Sequence, residues 1–321
     1  MALNILAIGD THARTKHLSD YSTLTKAILE QVDLIKPDMV VFLGDDLHNH
    51  STAHSSQLNA VLHLLKQVAQ RCRVVKLIGN HEVVSPNLYL SDNHHFKEIS
   101  IPNLTIVDKP TVIDGLGFVP YICHGRFKEA ISTIGNVQYL FAHQEFHGCV
   151  MNNTASTVED EAPEGMVVIS GHIHDPHEFK NVYYAGVPAP TTFAETSNPT
   201  IIHITNVITR VPLQGVVKYL TQKTTPLEFK DCIKGITKLL KNGSIDKFRV
   251  IVTGELSEIK TLRNSSTYKD AQELGIFLVT DAVVEDIQIR ECRRRKTFSE
   301  IINEMLDENE MSIFNEIRAG I

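Results

Sequence analysis

Short apolar runs that empty into a glycine, and then into Asp, Asn or His, recur along the first part of the chain. Residues 3–8 lead into Gly9-Asp10-Thr11-His12. Residues 39–43 lead into Gly44-Asp45-Asp46-Leu47-His48, and residues 74–78 into Gly79-Asn80-His81-Glu82. Between these runs the apolar period lengthens to that of a helix. Leu24, Ala27, Ile28, Leu29 and Val32 share one face of a segment that starts near Ser19-Asp20 and stops before Pro37. Leu58, Val61, Leu62, Leu65 and Val68 share a face of the next. The pattern predicts a repeated strand–helix unit with its polar groups at the carboxyl ends of parallel strands, where open α/β sheets bind ligands.

Beyond Glu82 the pattern changes. A polar loop holds Asn93-His94-His95, short strands are expected near 104–107 and 111–119 with a turn at Asp114-Gly115, and a strand at 138–142 delivers His143. Residues 152–164 are acidic and rich in turn formers, which predicts a surface loop. The apolar run 167–170 empties into Gly171-His172-Ile173-His174. Read as extended chain, the two histidines point to the same face and can converge on one site. A last strand, 181–185, precedes Gly186-Val187-Pro188. The expected fold is α/β, two facing mixed β-sheets flanked by helices, at residues 1–212. A small α/β capping domain is expected at 213–296, with strands at 248–253 and 276–280 around a helix at 267–274. A C-terminal helical segment is expected at 297–321.

Charge separates these parts more than composition does. The whole chain carries net charge −7 and 42% hydrophobic residues, ordinary for a globular protein. Counted along the sequence, 1–209 holds 13 basic and 21 acidic residues, a net of −8. Residues 210–296 hold 17 and 11, a net of +6, and 297–321 hold 1 and 6, a net of −5. A basic segment between acidic ones suits a polyanion, and its densest part is Arg290, Arg293, Arg294, Arg295 and Lys296. The five cysteines form no Cys-x-x-Cys pair, which points to a reducing, cytoplasmic setting and away from disulfides or thiolate metal sites. The chain enters its first strand with no basic n-region, and no apolar run is long enough to span a bilayer, so no membrane association is expected.

Collected, the strand ends offer Asp10, His12, Asp45, Asn80, His143, His172 and His174. These are oxygen and nitrogen donors without sulfur, enough for two divalent metals if one carboxylate bridges them. Asp45, on the central strand, is the expected bridge. His48 and His81 are left to meet a phosphate or protonate a leaving oxygen. His50, His54, His94, His95, His147 and His177 are expected as solvated loop or surface histidines, with His94 and His95 near enough to touch substrate.

The series Gly-Asp-x-His, Gly-Asp-x-x-His, Gly-Asn-His-Glu, a lone His and Gly-His-x-His resembles the calcineurin-like metallophosphoesterases. Asp45-Asp46-Leu47-His48 resembles the Asp-x-x-His of their DNA-repair nucleases and lacks the Asp-x-x-Asp-Arg-Gly of the protein phosphatases. The stretch Tyr184-Ala-Gly-Val-Pro-Ala-Pro-Thr-Thr-Phe-Ala-Glu195 is similar to the SbcD-type nucleases. Residues 108–111, 119–123 and 249–253 are similar to the recombination endonuclease subunit of T-even phages. The resemblance implies a nuclease acting at double-stranded DNA ends in recombination and repair. By it, Asp10, His12, Asp45 and His174 hold one Mn²⁺ (Mg²⁺ being the other option), and Asp45, Asn80, His143 and His172 hold the second. His81 is then the catalytic histidine, with His48 assisting. Glu82 and Val187 depart from the family's usual Asp and Ser; Glu82 is expected to orient its loop all the same.

The resemblance also implies an SMC-like ATPase partner of the SbcC type, and a homodimer within a heterotetramer. The chain has no phosphate-binding Gly-x-x-x-x-Gly-Lys-Ser/Thr of its own. Two apolar stripes at helical spacing are the expected docking surface: Phe298, Ile301, Ile302, Met305 and Leu306, then Met311, Ile313, Phe314 and Ile317. Two other classes share the motifs, a small-molecule phosphodiesterase or phosphatase and a catalytically silent DNA-end-binding scaffold. The complete ligand set argues against the scaffold.

Overall fold

The structure is a computed structural model that describes residues 3–151, 154–195 and 198–283. The first half builds the expected strand–helix repeat: β1 (Ile5–Ile8), α1 (Leu18–Ile35), β2 (Met39–Phe42), α2 (Ser55–Ala69), β3 (Arg73–Leu77) and β4 (Leu104–Val107). β1, β2, β3 and β4 lie parallel and side by side. The chain then crosses to a second sheet made of β5 (Thr111–Ile113), β6 (Leu116–Val119), β7 (Tyr139–Ala142), β10 (Val167–Ser170), β11 (His177–Phe179) and β12 (Val182–Tyr184). Helix α3 (Phe127–Ser132) precedes β7, and a small hairpin, β8 (Val150–Met151) with β9 (Thr154–Ala155), precedes β10. β13 (Thr200–Ile204) and β14 (Ile208–Pro212) return antiparallel to the edge of the first sheet beside β1.

Strand alternation explains the layers. Ile5, Ala7, Val41, Leu43, Val75 and Leu77 meet Phe118, Phe141 and Ile169 between the two sheets. Leu6, Ile8, Val40, Phe42 and Val74 face the other way and pack on α1 and α2. Leu140, Ala142 and Val168 do the same on the far side of the second sheet. Both faces of each sheet are therefore covered, and the central strands are apolar on both sides. The β5–β6 hairpin turns at Asp114 (φ 52°) and Gly115 (φ 79°), both left-handed as the tightest hairpin turn requires.

Residues 219–283 form a separate layer: β15 (Tyr219–Thr224), α4 (Phe229–Lys241), β16 (Lys247–Glu255), α5 (Leu256–Arg263), α6 (Ser266–Glu273) and β17 (Phe277–Val283). Its sheet is wholly parallel, in the order β15-β16-β17. Two strands and one helix were expected here; β15, α4 and α5 are additional. The basic run at 290–296 and the docking stripes at 298–317 lie outside the described residues.

Two expectations need correction. The acidic stretch 152–164 is not wholly surface loop: Asp160 is buried and accepts hydrogen bonds from the amides of Gly125 (2.9 Å) and Phe127 (3.0 Å) and from Gln144 (3.2 Å). A carboxylate that satisfies three donors anchors that stretch to the second sheet. His94 is likewise buried, with Nε2 3.5 Å from Asp108, rather than solvated.

One polar cluster lies inside the first layer. Lys76 is fully buried on β3, and its Nζ donates to Asp46 (2.6 Å) and to both oxygens of Glu82 (2.8 and 3.0 Å). Glu82 in turn accepts from the amides of Asp46 (2.9 Å) and Gly79 (3.0 Å), and Asp46 accepts from the Thr11 hydroxyl (2.7 Å). Burial alone would lower the lysine pKa, but Asp46 and Glu82 outweigh it and raise it, so the ammonium stays charged. Removing one partner of such a buried group leaves the others without compensation. Lys76→Met should therefore destabilise the protein by about 3–5 kcal/mol in urea unfolding. The exposed Lys97 beside Asp92 serves as the control, and Lys97→Ala should leave the midpoint nearly unchanged. A loss under about 1 kcal/mol for Lys76→Met would show that the cluster is not structural.

Candidate metal centre

The carboxyl ends of β1, β2, β3, β7 and β10 face one another, and the loops that leave them hold all seven expected ligands. Close approach explains the glycines. A Cβ on Gly79 would lie 2.1 Å from Asp45 Oδ1, and one on Gly171 would lie 2.6 Å from Asp10 Oδ1. The residues that follow are bent just as sharply: His12 (φ 42°), Asp45 (φ 52°) and His172 (φ 74°) are all left-handed without being glycine. Such conformations cost free energy, and they cluster where function requires a side chain to be aimed.

The bend at His172 overturns one expectation. The chain is no longer extended after Ser170, so His172 and His174 do not share a face but enter different clusters. His174 Nε2 lies 2.9 Å from His12 Nε2 and 4.0 Å from Asp10 Oδ2. His172 Nδ1 lies 2.9 Å from Asn80 Oδ1 and 3.3 Å from His143 Nε2. His143 Nε2 also faces Asn80 Oδ1 (3.0 Å) and Asp45 Oδ2 (3.3 Å). Asp10, His12 and His174 thus form one group with metal-ligand spacing, and Asp45, His143 and His172 a second. His12, His48 and His81 form a third such group, which the sequence did not suggest.

Hydrogen bonding on the outward atoms shows what the inward atoms carry. His143 Nδ1 donates to the carbonyl of Leu43 (2.8 Å), and His174 Nδ1 donates to Glu195 Oε1 (3.1 Å). Their Nε2 atoms point at Asn80, Asp45 and His12, and offer lone pairs once the rings give up the proton that the neighbouring carboxylates favour. A cation that displaces those protons fits so dense a set of oxygen and nitrogen donors. The same crowding governs titration. Burial opposes charge on His143, yet Asp45 and Asp10 outweigh it and raise its pKa to about 9. Burial lifts Asp10 to about 7, with His143 pulling against it and Asp45 adding to the rise. Burial would lift Asp45 too, but His143, His81 and His12 hold it well below the ordinary range. Burial keeps His12 and His172 below theirs, in the neutral form that donates to metals.

His81 and His48 sit at the rim. His81 Nδ1 donates to the carbonyl of His48, and its Nε2 points inward, 3.6 Å from Asp45 Oδ2. The ring of His50 stacks on it at 3.6 Å, so His50 belongs to the site wall. His50, His54 and His147 are exposed, as expected. Tyr121 packs beside His172 and His143. Its side chain and that of His50 gave no motif signal, because aromatic neighbours have no fixed spacing.

Two further carboxylates escaped the sequence reading. Glu195 holds the outward nitrogen of His174 and is itself fixed by the amides of Thr191 and Thr192 (3.1 Å for the latter). Glu145 Oε2 lies 3.8 Å from the outward Nε2 of His172. Carboxylates behind ligating histidines set their tautomer and orientation.

Residues 3–202 match the calcineurin-like phosphoesterase family. The chain belongs to that family. Its members use divalent metals, and the clusters described above are candidates to hold them. The chain is 28% identical over 312 residues to putative phosphoesterase 078R of Invertebrate iridescent virus 3, covering 90% of this chain and 86% of that protein. It is 34% identical over 208 residues to putative phosphoesterase 244L of Invertebrate iridescent virus 6, covering 60% and 73%. Exonuclease subunit 1 of Enterobacteria phage T4 is 26% identical over 133 residues, 38% of this chain and 39% of that one. Family membership and the two viral phosphoesterases support hydrolase activity. Among the described residues no helix is long and apolar enough to cross a membrane.

Within this phosphoesterase site, Glu195→Gln should keep the fold but weaken divalent-cation affinity about 10- to 100-fold in calorimetric titration with Mn²⁺. An isotherm identical to that of the unaltered protein would exclude a role for Glu195 behind His174.

Proposed function

We propose that the chain is a two-metal, Mn²⁺-dependent DNA nuclease that acts at DNA ends as an exonuclease or endonuclease. The observation that carries this reading is the convergence of oxygen and nitrogen donors into two clusters, Asp10 with His12 and His174, and Asp45 with Asn80, His143 and His172. Asp10, His12, Asp45 and His174 would hold one ion, and Asp45, Asn80, His143 and His172 the other. When bound, such a pair supplies Lewis acidity to a phosphate and a more acidic water.

The chain's own residues do the rest. Asp10 Oδ1 and Oδ2 accept from the amide of His172 (3.1 and 3.0 Å), and Asp45 Oδ1 accepts from that of His81 (2.9 Å). The carboxylates are therefore oriented before any ligand arrives, which removes reorganisation from the reaction. His81 is held through Nδ1 and burial lowers its pKa, so the neutral ring presents the Nε2 lone pair, which would take a proton from the attacking water and pass it to the leaving oxygen. Burial holds the pKa of His48 down to about 4. That ring stays neutral at pH 7 and can serve as a hydrogen-bond partner of the phosphate.

A polynucleotide rather than a small ester is supported by Asp45-Asp46-Leu47-His48 and by the similarity to the T4 exonuclease subunit. The basic run Arg290, Arg293, Arg294, Arg295 and Lys296 would contact the duplex. The stripes from Phe298 to Ile317 would dock on an SMC-like ATPase, in a heterotetramer built on a homodimer. End-labelled duplex and hairpin DNA with Mn²⁺, compared with a chromogenic phosphodiester, tests the substrate class. Higher kcat/KM on the small diester than on DNA would favour a small-molecule phosphodiesterase.

Two variants separate binding from chemistry. Asp45→Asn should lose cation binding and cleavage together. His81→Ala should bind two Mn²⁺ as before and lose about 10²–10⁴ in rate. A loss below about tenfold at saturating Mn²⁺ would rule out proton transfer by His81.

A further inference from the structure

Arg14 stands just beyond His12 on the loop that leaves β1. That loop is pinned beside the β2 loop: the amide of Ala13 donates to Asp46 O (2.8 Å), and the amide of His48 donates to Ala13 O (3.3 Å). The backbone therefore fixes the start of the Arg14 side chain next to His48. The side chain is half-buried, and its Nε is shut off from solvent with no hydrogen-bond partner. Among the described residues no carboxylate lies within ion-pair distance of its guanidinium. The Glu195 carboxylate is already committed to His174, Thr191 and Thr192.

A guanidinium whose Nε is buried without a partner is costly, and an oxyanion at its open side would offset its charge. Arg14 lines a small cleft with His12, Asp20, Thr191 and Val217; the cleft has room for about one water, so a phosphate would meet the open side of the guanidinium rather than enter it. The planar fork of N–H donors matches two oxygens of a phosphate. The scissile phosphate would lie among the seven inward donors, whereas Arg14 stands two residues beyond His12 on the same loop. We propose that Arg14 binds a second, non-scissile phosphate of the same strand and thereby selects polynucleotides over small diesters. This proposal rests on the nuclease reading given above.

The test uses the full chain as Arg14→Ala and Arg14→Lys. Cleavage of an oligonucleotide and of bis(p-nitrophenyl) phosphate is followed with Mn²⁺. Oligonucleotide binding without added metal is followed by fluorescence anisotropy against salt. Arg14→Ala should raise KM for the oligonucleotide about tenfold or more and change kcat/KM on the small diester by less than about threefold. The slope of log affinity against log salt should flatten by about one unit, while Mn²⁺ stoichiometry by calorimetry stays that of the unaltered protein. Arg14→Lys should restore the salt slope and recover KM only in part. Equal losses on both substrates, no loss on either, or loss of bound Mn²⁺ would each overturn the assignment. An unaltered protein that cleaves the small diester but not the oligonucleotide would instead overturn the nuclease reading, and this proposal with it.

Discussion

A single buried ammonium organises the active edge of this protein. Lys76 draws Asp46 and Glu82 together beneath the first sheet's outer face, and through them it ties down three loops that leave three different strands. Thr11 brings in the β1 loop, Asp46 belongs to the β2 loop, and Glu82 grips the amide of Gly79 at the start of the β3 loop. Each of those loops carries candidate ligands: Asp10 and His12, Asp45, and Asn80. A network of this kind is valuable for geometry more than for net stability, because desolvating three charges offsets much of their attraction. Here the geometry is what the chemistry needs. Glu82 reaches both the lysine and two amides, the amides of Asp46 and Gly79.

That fixed floor bears the strain above it. His12, Asp45 and His172 sit in left-handed backbone, and Gly79 and Gly171 leave room for the carboxylate oxygens of Asp45 and Asp10 at distances no Cβ tolerates. Strain of this kind persists only where the surroundings over-determine it. The second sheet and the three-stranded layer complete the frame. Phe193 packs against Tyr219 and Phe277, with the Arg249 guanidinium over its ring, and Glu195 on the same short segment holds His174. The segment that orients one candidate ligand is thus anchored in the neighbouring layer.

Much of this was legible in the sequence, for identifiable reasons. Strand ends followed by glycine and an acid or imidazole carry a signal of short range, and the two-sheet fold followed from the apolar period. What escaped was set by tertiary contact. Glu195 and Glu145 lie behind histidines distant or displaced in sequence, His50 stacks on a ring far along the chain, and Asp160 is buried by a loop that reads as solvated. The expectation that His172 and His174 share one site failed because it assumed extended backbone, and a φ of 74° at His172 sends them to separate clusters. The lysine network was half visible, in that Glu82 was expected to orient its loop, but a lysine inside an apolar strand gives no hint that it is buried.

The central claim is that two cations share Asp45 at the meeting of these loops. Anomalous diffraction at the manganese edge, from crystals grown with Mn²⁺, tests it most directly. The account predicts two peaks about 3.5–4 Å apart, one beside Asp10, His12 and His174, the other beside Asn80, His143 and His172, with Asp45 touching both. A single peak, or an ion seated among His12, His48 and His81 instead, would contradict it.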